Sequence, residues 1–327
     1  MIVDPEVVLV LRPLGLGDLC AGVPALRGLR RAFPAADLVL AAPAWQEPLA
    51  RLAGVDRVVP AEPLRPLSTP VHGADLAVNM HGRGPESTRL LAATGPGCLV
   101  AFAHEEVDAP LVAPVAWRAD EHEVRRWCRL LVESGIHADP TDLRLPAPAA
   151  DPPPAVAPPG RPLAVVHPGA AAPGRRWPVE RFGAVVDALV ARGHHVVLTG
   201  SEAERALCQE VVGASAGGAE VVAGRTSVAQ LAALVASADL LVANDTGVAH
   251  LATAFGIPSV VLFGPTSPSE WGPPEGAPHR SLWAGRRGDP HALQLDPGLA
   301  AIEVGDVLAA VEEVMPSCPA TSPLARS

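Results

Sequence analysis

Three segments of this chain put polar and small residues where an apolar run gives way to a helical pattern. There, free backbone amides can meet a ligand. In the first, Asn244-Asp245-Thr246-Gly247-Val248-Ala249-His250 follows the run Asp239–Ala243. The amides of Thr246 and Gly247 open the next helix as an anion site, and glycine leaves room for a diphosphate. His250 falls one helical turn later on the same face, within reach of the same ligand. In the second, His167-Pro168-Gly169-Ala170 leads to Gly174-Arg175-Arg176-Trp177-Pro178. Arginines just before a helix start suit phosphate oxygens, because they add bidentate charged donors to unpaired amides. A solvated basic pair is the plainer reading of Arg175 and Arg176 taken alone.

The third segment, Arg12-Pro13-Leu14-Gly15-Leu16-Gly17-Asp18, lies at the first strand-to-helix turn. Gly15 and Gly17 permit a tight turn and close approach of a ligand, while Asp18 serves either as a reactive carboxylate or as a helix cap. A dinucleotide fingerprint fails here, since Cys20 stands where a third glycine is required and Ala41-Ala42 ends the second strand without an acid. Thr199-Gly200-Ser201-Glu202 closes another strand, and the Glu202 carboxylate suits ribose hydroxyls. Glu204 competes for that role, and either one also works as a cap. Phe263-Gly264-Pro265-Thr266 is a stiff loop beside the same crevice.

These segments need elements to position them, and the apolar pattern supplies two sets. Strands are expected at Val7–Arg12, Asp37–Ala42 and Ala74–Met80, with helices at Leu19–Phe33 and Glu121–Ser134. A proline- and alanine-dense stretch, Pro146–Pro162, reads as a linker. Beyond it, strands at Leu163–His167, His195–Thr199, Glu220–Ala223, Asp239–Ala243 and Ser259–Phe263 alternate with helices at Pro178–Ala191, Glu202–Val212, Ser227–Ser237 and Gly247–Phe255. The expected fold is therefore α/β with two Rossmann-like doubly wound domains, 1–150 and 151–327. A last helix at about 303–314 is allowed to reach back toward the first domain, and the tail from Pro316 is expected to be disordered.

Composition narrows the function. With 35 acidic against 25 basic residues, all of them arginine, the formal net charge of −10 argues against a nucleic-acid partner. Arginine must also take any phosphate-binding role. The five scattered cysteines form no CxxC pair, so neither a zinc site nor a disulfide frame is expected, and thiols fit a reducing compartment. No signal peptide and no spanning segment is expected, so the protein reads as cytoplasmic, with at most peripheral membrane contact.

In their order and spacing these segments resemble the heptosyltransferases, glycosyltransferase family nine. The likeness covers nearly the whole chain: Gly15–Asp18, the His167–Ala170 and Arg175–Pro178 segments, Thr199–Val212, Gly224–Leu231, Asp245–His250 and Phe263–Thr266. It implies a GT-B fold, an acceptor side in the N-terminal domain and a nucleotide-sugar donor, ADP-heptose above others, in the C-terminal domain. It further implies an inverting transfer with no metal and no cofactor, onto a glycan, lipid-linked or small-molecule hydroxyl.

By the same resemblance Asp18 matches the catalytic base and Arg176 a basic residue, often lysine, on the donor phosphates. Asp245, Thr246, Gly247 and His250 match the donor motif. His167, Gly169, Arg175, Thr199 and Glu202 complete the expected donor side. Gly15, Gly17, His81 and Arg83 fall on the acceptor side, where His81, Arg83 and Ser87 either meet an anionic acceptor or line a polar surface. After Phe263 this chain has Trp271, Trp283 and Asp296 where relatives often carry cysteines. The rival readings are a nucleotide-sugar epimerase of the same fold and a sugar-nucleotide binding protein without catalysis.

Overall fold

The computed structural model describes residues 4–67, 71, 73–150, 160–274 and 278–315. Its first sheet contains β1 (Val7–Leu11), β2 (Asp37–Ala42), β3 (Arg57–Pro60), β4 (Leu76–Asn79) and β5 (Cys98–Val100) in the order β3-β2-β1-β4-β5. The second contains β6 (Leu163–His167), β7 (His195–Leu198), β8 (Glu220–Val221), β9 (Leu240–Asn244), β10 (Ser259–Phe263) and β11 (His279–Trp283), ordered β11-β10-β9-β6-β7-β8. Every pairing is parallel. The central strands are almost wholly apolar because helices cover both faces of a parallel sheet, so no side-chain row faces water.

Four helices accompany the first sheet: α1 (Leu16–Ala32), α2 (Glu47–Leu52), α3 (Glu86–Ala92) and α4 (Glu123–Glu133). With the second come α5 (Val179–Ala191), α6 (Arg205–Gly213), α7 (Val228–Ala236), α8 (Gly247–Phe255), α9 (Pro268–Trp271), α10 (Pro297–Ala301) and α11 (Val304–Val314). Sequence reasoning found the central strands and the longer helices, and it missed β3, β5 and β11 and the short helices α2, α3, α9 and α10. The three missed strands are edge strands, and each is short or half-exposed. The expected helix from Glu202 instead starts as a 3-10 turn, Glu202–Glu204, before α6.

Strand order locates the crevices. In each sheet the winding reverses next to the first strand, between β1 and β4 and between β6 and β9, so the loops leaving those strands diverge and leave a gap at their carboxyl ends. All three chemistry-bearing segments emerge there.

The two sheets share an apolar interior: Val8, Val10 and Leu40 belong to the same buried cluster as Val165, Leu241 and Val261. α1 crosses α8 at their first turns, where a side chain at Gly247 would lie 2.7 Å from the Leu16 Cβ and 2.9 Å from the Gly17 nitrogen. Glycine at that position is what lets the domains meet. The final helix corrects one expectation. Val307, Ala310, Val311 and Val314 are buried among β6, β9, β10 and α5, so α11 covers its own domain and does not reach back. Most of the linker and the whole tail from Pro316 lie outside the described residues.

Candidate active site

A cleft of about 560 Å³ opens between the domains. Its N-terminal wall is Gly15, Leu16, Gly17 and Asp18; its C-terminal wall includes Ala170, Arg175, Glu204, Asp245, Thr246, Gly247 and His250. Pro265, Thr266, Glu270, Trp271 and Arg287 close one end.

Asp18 is the third residue of α1 and accepts a hydrogen bond from the Gly15 amide at 3.1 Å, so it caps the helix and faces the cleft at once. Behind it lies Arg12, whose side chain is 1% exposed and has one nitrogen 3.7 Å from the other Asp18 oxygen. Arg12 donates to the main-chain carbonyls of Asp18 (2.6 Å) and Met80, and to Glu123 Oε1 at 3.3 Å. Glu123 also pairs with Arg126 and accepts from Trp127 Nε1 at 2.7 Å. A buried guanidinium persists only when its donors and charge are answered, and this network answers both.

On the facing wall Asn244, fully buried, donates to the carbonyls of Pro168 (2.8 Å) and Gly169 (3.3 Å) and accepts from the Trp177 amide (3.2 Å). It thus fastens both ends of the arginine loop to β9. Arg175 then reaches Asp245, donating to its carbonyl and, at 2.8 Å, to its carboxylate. Thr246 caps α8 in extended conformation, and its buried Oγ1 has no partner among the described residues. The amides that follow begin a helix and so lack intrahelical acceptors. The start of α8, with its positive dipole end, and Arg175 line the same cleft. His250 stacks edge-on against Trp271 at 5.8 Å between ring centres. Burial pushes its pKa below the ordinary 6.5, against the pull of Asp245 and Asp18, so the ring is neutral at pH 7.

Several expected residues stand elsewhere. Arg176 does not line the cleft; it donates twice to the Ala170 carbonyl, at 3.1 and 3.0 Å, and so holds the wall's loop. Of the two arginines it is Arg175 that lines the cleft. Glu202 is surface-exposed and paired with Arg205, and it is Glu204 that lines the cleft, capped onto Ser201. His167 and Thr199 are buried behind the wall, their Nδ1 and Oγ1 3.0 Å apart. Burial lowers the His167 pKa, so it braces the loop as a neutral ring. Gly169 contributes absence: a Cβ there would fall 2.1 Å from the Glu204 carboxylate.

Of the residues expected on the acceptor side, Gly15 and Gly17 line the cleft, whereas His81 and Arg83 follow β4 outside it. The Nδ1 of His81 is buried and unpartnered among the described residues, and burial followed by Arg12 depresses its pKa. Ser87 is buried and receives a hydrogen bond from Asn79 at 3.0 Å, so it holds β4 to α3 and does not face an acceptor.

Glu270 and Arg287 were not foreseen. They pair with each other at the cleft rim, and Arg287 also faces Asp120 of the other domain at 3.9 Å. No local spacing announces them, because they meet only through the fold. Among the described residues no three His, Cys, Asp or Glu side chains gather as a metal site, and no helix is long and apolar enough to cross a membrane.

Two Rossmann-like domains with reactive groups on both lips of the cleft between them define the GT-B class of glycosyltransferases. The profile of glycosyltransferase family 9 (heptosyltransferase) matches residues 108–288, more than half the chain, and the chain belongs to that family. Among its relatives, lipopolysaccharide heptosyltransferase 2 of Salmonella typhimurium is 27% identical over 305 residues, covering 80% of this chain and 83% of the relative. Lipopolysaccharide heptosyltransferase 3 of Escherichia coli is 34% identical over 165 residues, 48% of either chain, so that match spans about half of each. The solved glycosyltransferase family 9 protein of Veillonella parvula superposes with a TM-score of 0.80 at 20% identity, covering 96% of this chain and 98% of that one.

Proposed function

We propose that this protein transfers a heptose or related sugar from a nucleoside-diphosphate donor to a hydroxyl of a glycan, glycolipid or small molecule, with inversion and without a metal ion. The names of its relatives favour ADP-heptose as donor and a lipopolysaccharide-type acceptor. The observation that carries the reading is the opposition of Asp18 to Arg175, Thr246 and Gly247 across one cleft. In a single displacement, Asp18 takes the proton of the acceptor hydroxyl, whose oxygen attacks the anomeric carbon. The bond from that carbon to the phosphate oxygen breaks, and the electron pair leaves with the diphosphate. Arg175 and the α8 amides meet that growing charge with fixed donors. Neutral His250 donates or accepts a hydrogen bond without adding charge, and Asp245 is kept off the phosphate by Arg175. The enzyme works in the cytoplasm, at most touching a membrane surface where its acceptor is lipid-linked.

General-base assistance contributes roughly 10²–10⁴-fold. Replacing Asp18 with Ala is accordingly expected to cut turnover by about that factor while calorimetric affinity for ADP-heptose stays within about twofold. Full turnover by Asp18→Ala removes the base assignment. Conversion of the donor alone into an isomer favours the epimerase instead.

A further inference from the structure

A second groove, of about 670 Å³, runs between the domains beside the cleft. One wall is the segment after β2, with Trp45, Glu47 and Arg51; the other is the start of α7, with Thr226, Ser227 and Val228. Trp45 is 48% exposed, the one aromatic ring among the large apolar side chains left open to solvent in the described residues. An indole presented to water in the wall of a groove is a costly arrangement unless something covers it.

Its neighbour Gln46 is 1% exposed and donates through Nε2 to the carbonyls of Leu14 (2.7 Å) and Gly15 (3.2 Å). Gly15 lines the catalytic cleft, so the buried Gln46 side chain ties the segment that walls the groove to the turn that leads into Asp18.

We propose that this groove is a saccharide subsite, holding the acceptor sugar that adjoins the reacting one. The inference rests on the transferase reading above. The chemistry fits a neutral sugar: an aromatic face for its C–H side, and hydroxyls and a carboxylate around the rim for its O–H groups. Arg51 is already neutralised by Glu47 at 2.6 Å, so the groove offers no free cation to a phosphate or a lipid headgroup. Because the second wall belongs to the C-terminal domain, an acceptor seated here touches both domains and favours their closed arrangement.

The test uses the full-length protein, with a lipid-free inner-core oligosaccharide of an enterobacterial lipopolysaccharide as probe. Saturation-transfer NMR reads its binding, and calorimetry with ADP-heptose reads the donor site. The wild type is expected to bind both. Trp45→Ala is expected to weaken the oligosaccharide by about fivefold to tenfold, as loss of an aromatic contact does, with Trp45→Phe near wild type and ADP-heptose affinity unchanged in each. Unchanged oligosaccharide affinity in Trp45→Ala, or a wild type that binds ADP-heptose and not the oligosaccharide, overturns the subsite. Trp45-dependent oligosaccharide binding by a protein indifferent to ADP-heptose and to a panel of other nucleoside-diphosphate sugars keeps the subsite and overturns the transferase reading.

Discussion

On the C-terminal wall, Asp245, Thr246, Gly247 and His250 come from a single strand-to-helix junction, and Arg175 reaches it from the loop after β6. On the N-terminal wall, Asp18 rests on an arginine tied to residues 68 and 111 positions away, Met80 and Glu123. The difference separates what each wall depends on. A local junction holds its shape through helix and strand alone, so changes there should fall on ligand binding. A wall assembled around a buried charge depends on the fold closing correctly, so changes there should fall on stability.

The largest effect expected from this contrast is at Glu123. Its removal leaves the buried Arg12 guanidinium only the more distant Asp18 carboxylate and takes the partner from Arg126 and Trp127, so Glu123→Ala should destabilise the protein by about 3–5 kcal/mol in denaturant unfolding. A loss below about 1 kcal/mol, the range of a surface pair, would mean that the N-terminal wall is no more fold-dependent than the other.

Acid sharpens the comparison from the other side. In the C-terminal domain burial holds His279 down, to about 4 from 6.5, with Arg144 adding to the effect. A histidine whose folded pKa is lowered takes up its proton more readily when unfolded. Its contribution is therefore fully present above pH 6.5 and is lost as the pH falls toward 4, a loss of roughly 3 kcal/mol. His279→Asn should flatten the melting temperature over that window, and an unaltered pH profile would contradict the assignment.

Smaller effects are expected where the walls touch. A methyl group at Gly247 meets backbone and Cβ atoms of Leu16 and Gly17, not a flexible chain end, so Gly247→Ala should cost about 1–3 kcal/mol and weaken donor binding together. Equal loss from Gly213→Ala, where a Cβ meets nothing within 4 Å, would show that the crossing is not special. Smallest is Arg175→Ala, expected to lower donor affinity about tenfold, ~1.4 kcal/mol, with the Arg175→Lys variant in between. Calorimetry checks it, and unchanged affinity would move the phosphate role elsewhere.

The same contrast explains what was readable beforehand. Strands β6, β9 and β10 and the junction at Thr246 were legible, since apolar runs and a helix start are local features. Choosing Arg175 over Arg176, or Glu204 over Glu202, was not possible from spacing. Neighbours in sequence leave a loop or a 3-10 turn in different directions, and only Asn244 and the capping of Ser201 decide which faces inward. Arg12 was visible as part of a turn, yet nothing near it in sequence marks it as buried, because its partners arrive from β4 and α4. The Glu270–Arg287 pair was hidden for the same reason.

The account turns on one diphosphate held between Arg175 and the first turn of α8, across from Asp18. A crystal structure of the protein with ADP bound tests this most directly. It should place phosphate oxygens within about 3.2 Å of the Thr246 or Gly247 amides, with Arg175 turned from Asp245 to the phosphate and the Asp18 carboxylate facing the vacant sugar position. ADP lodged away from α8, with the Arg175–Asp245 pair intact, would contradict it.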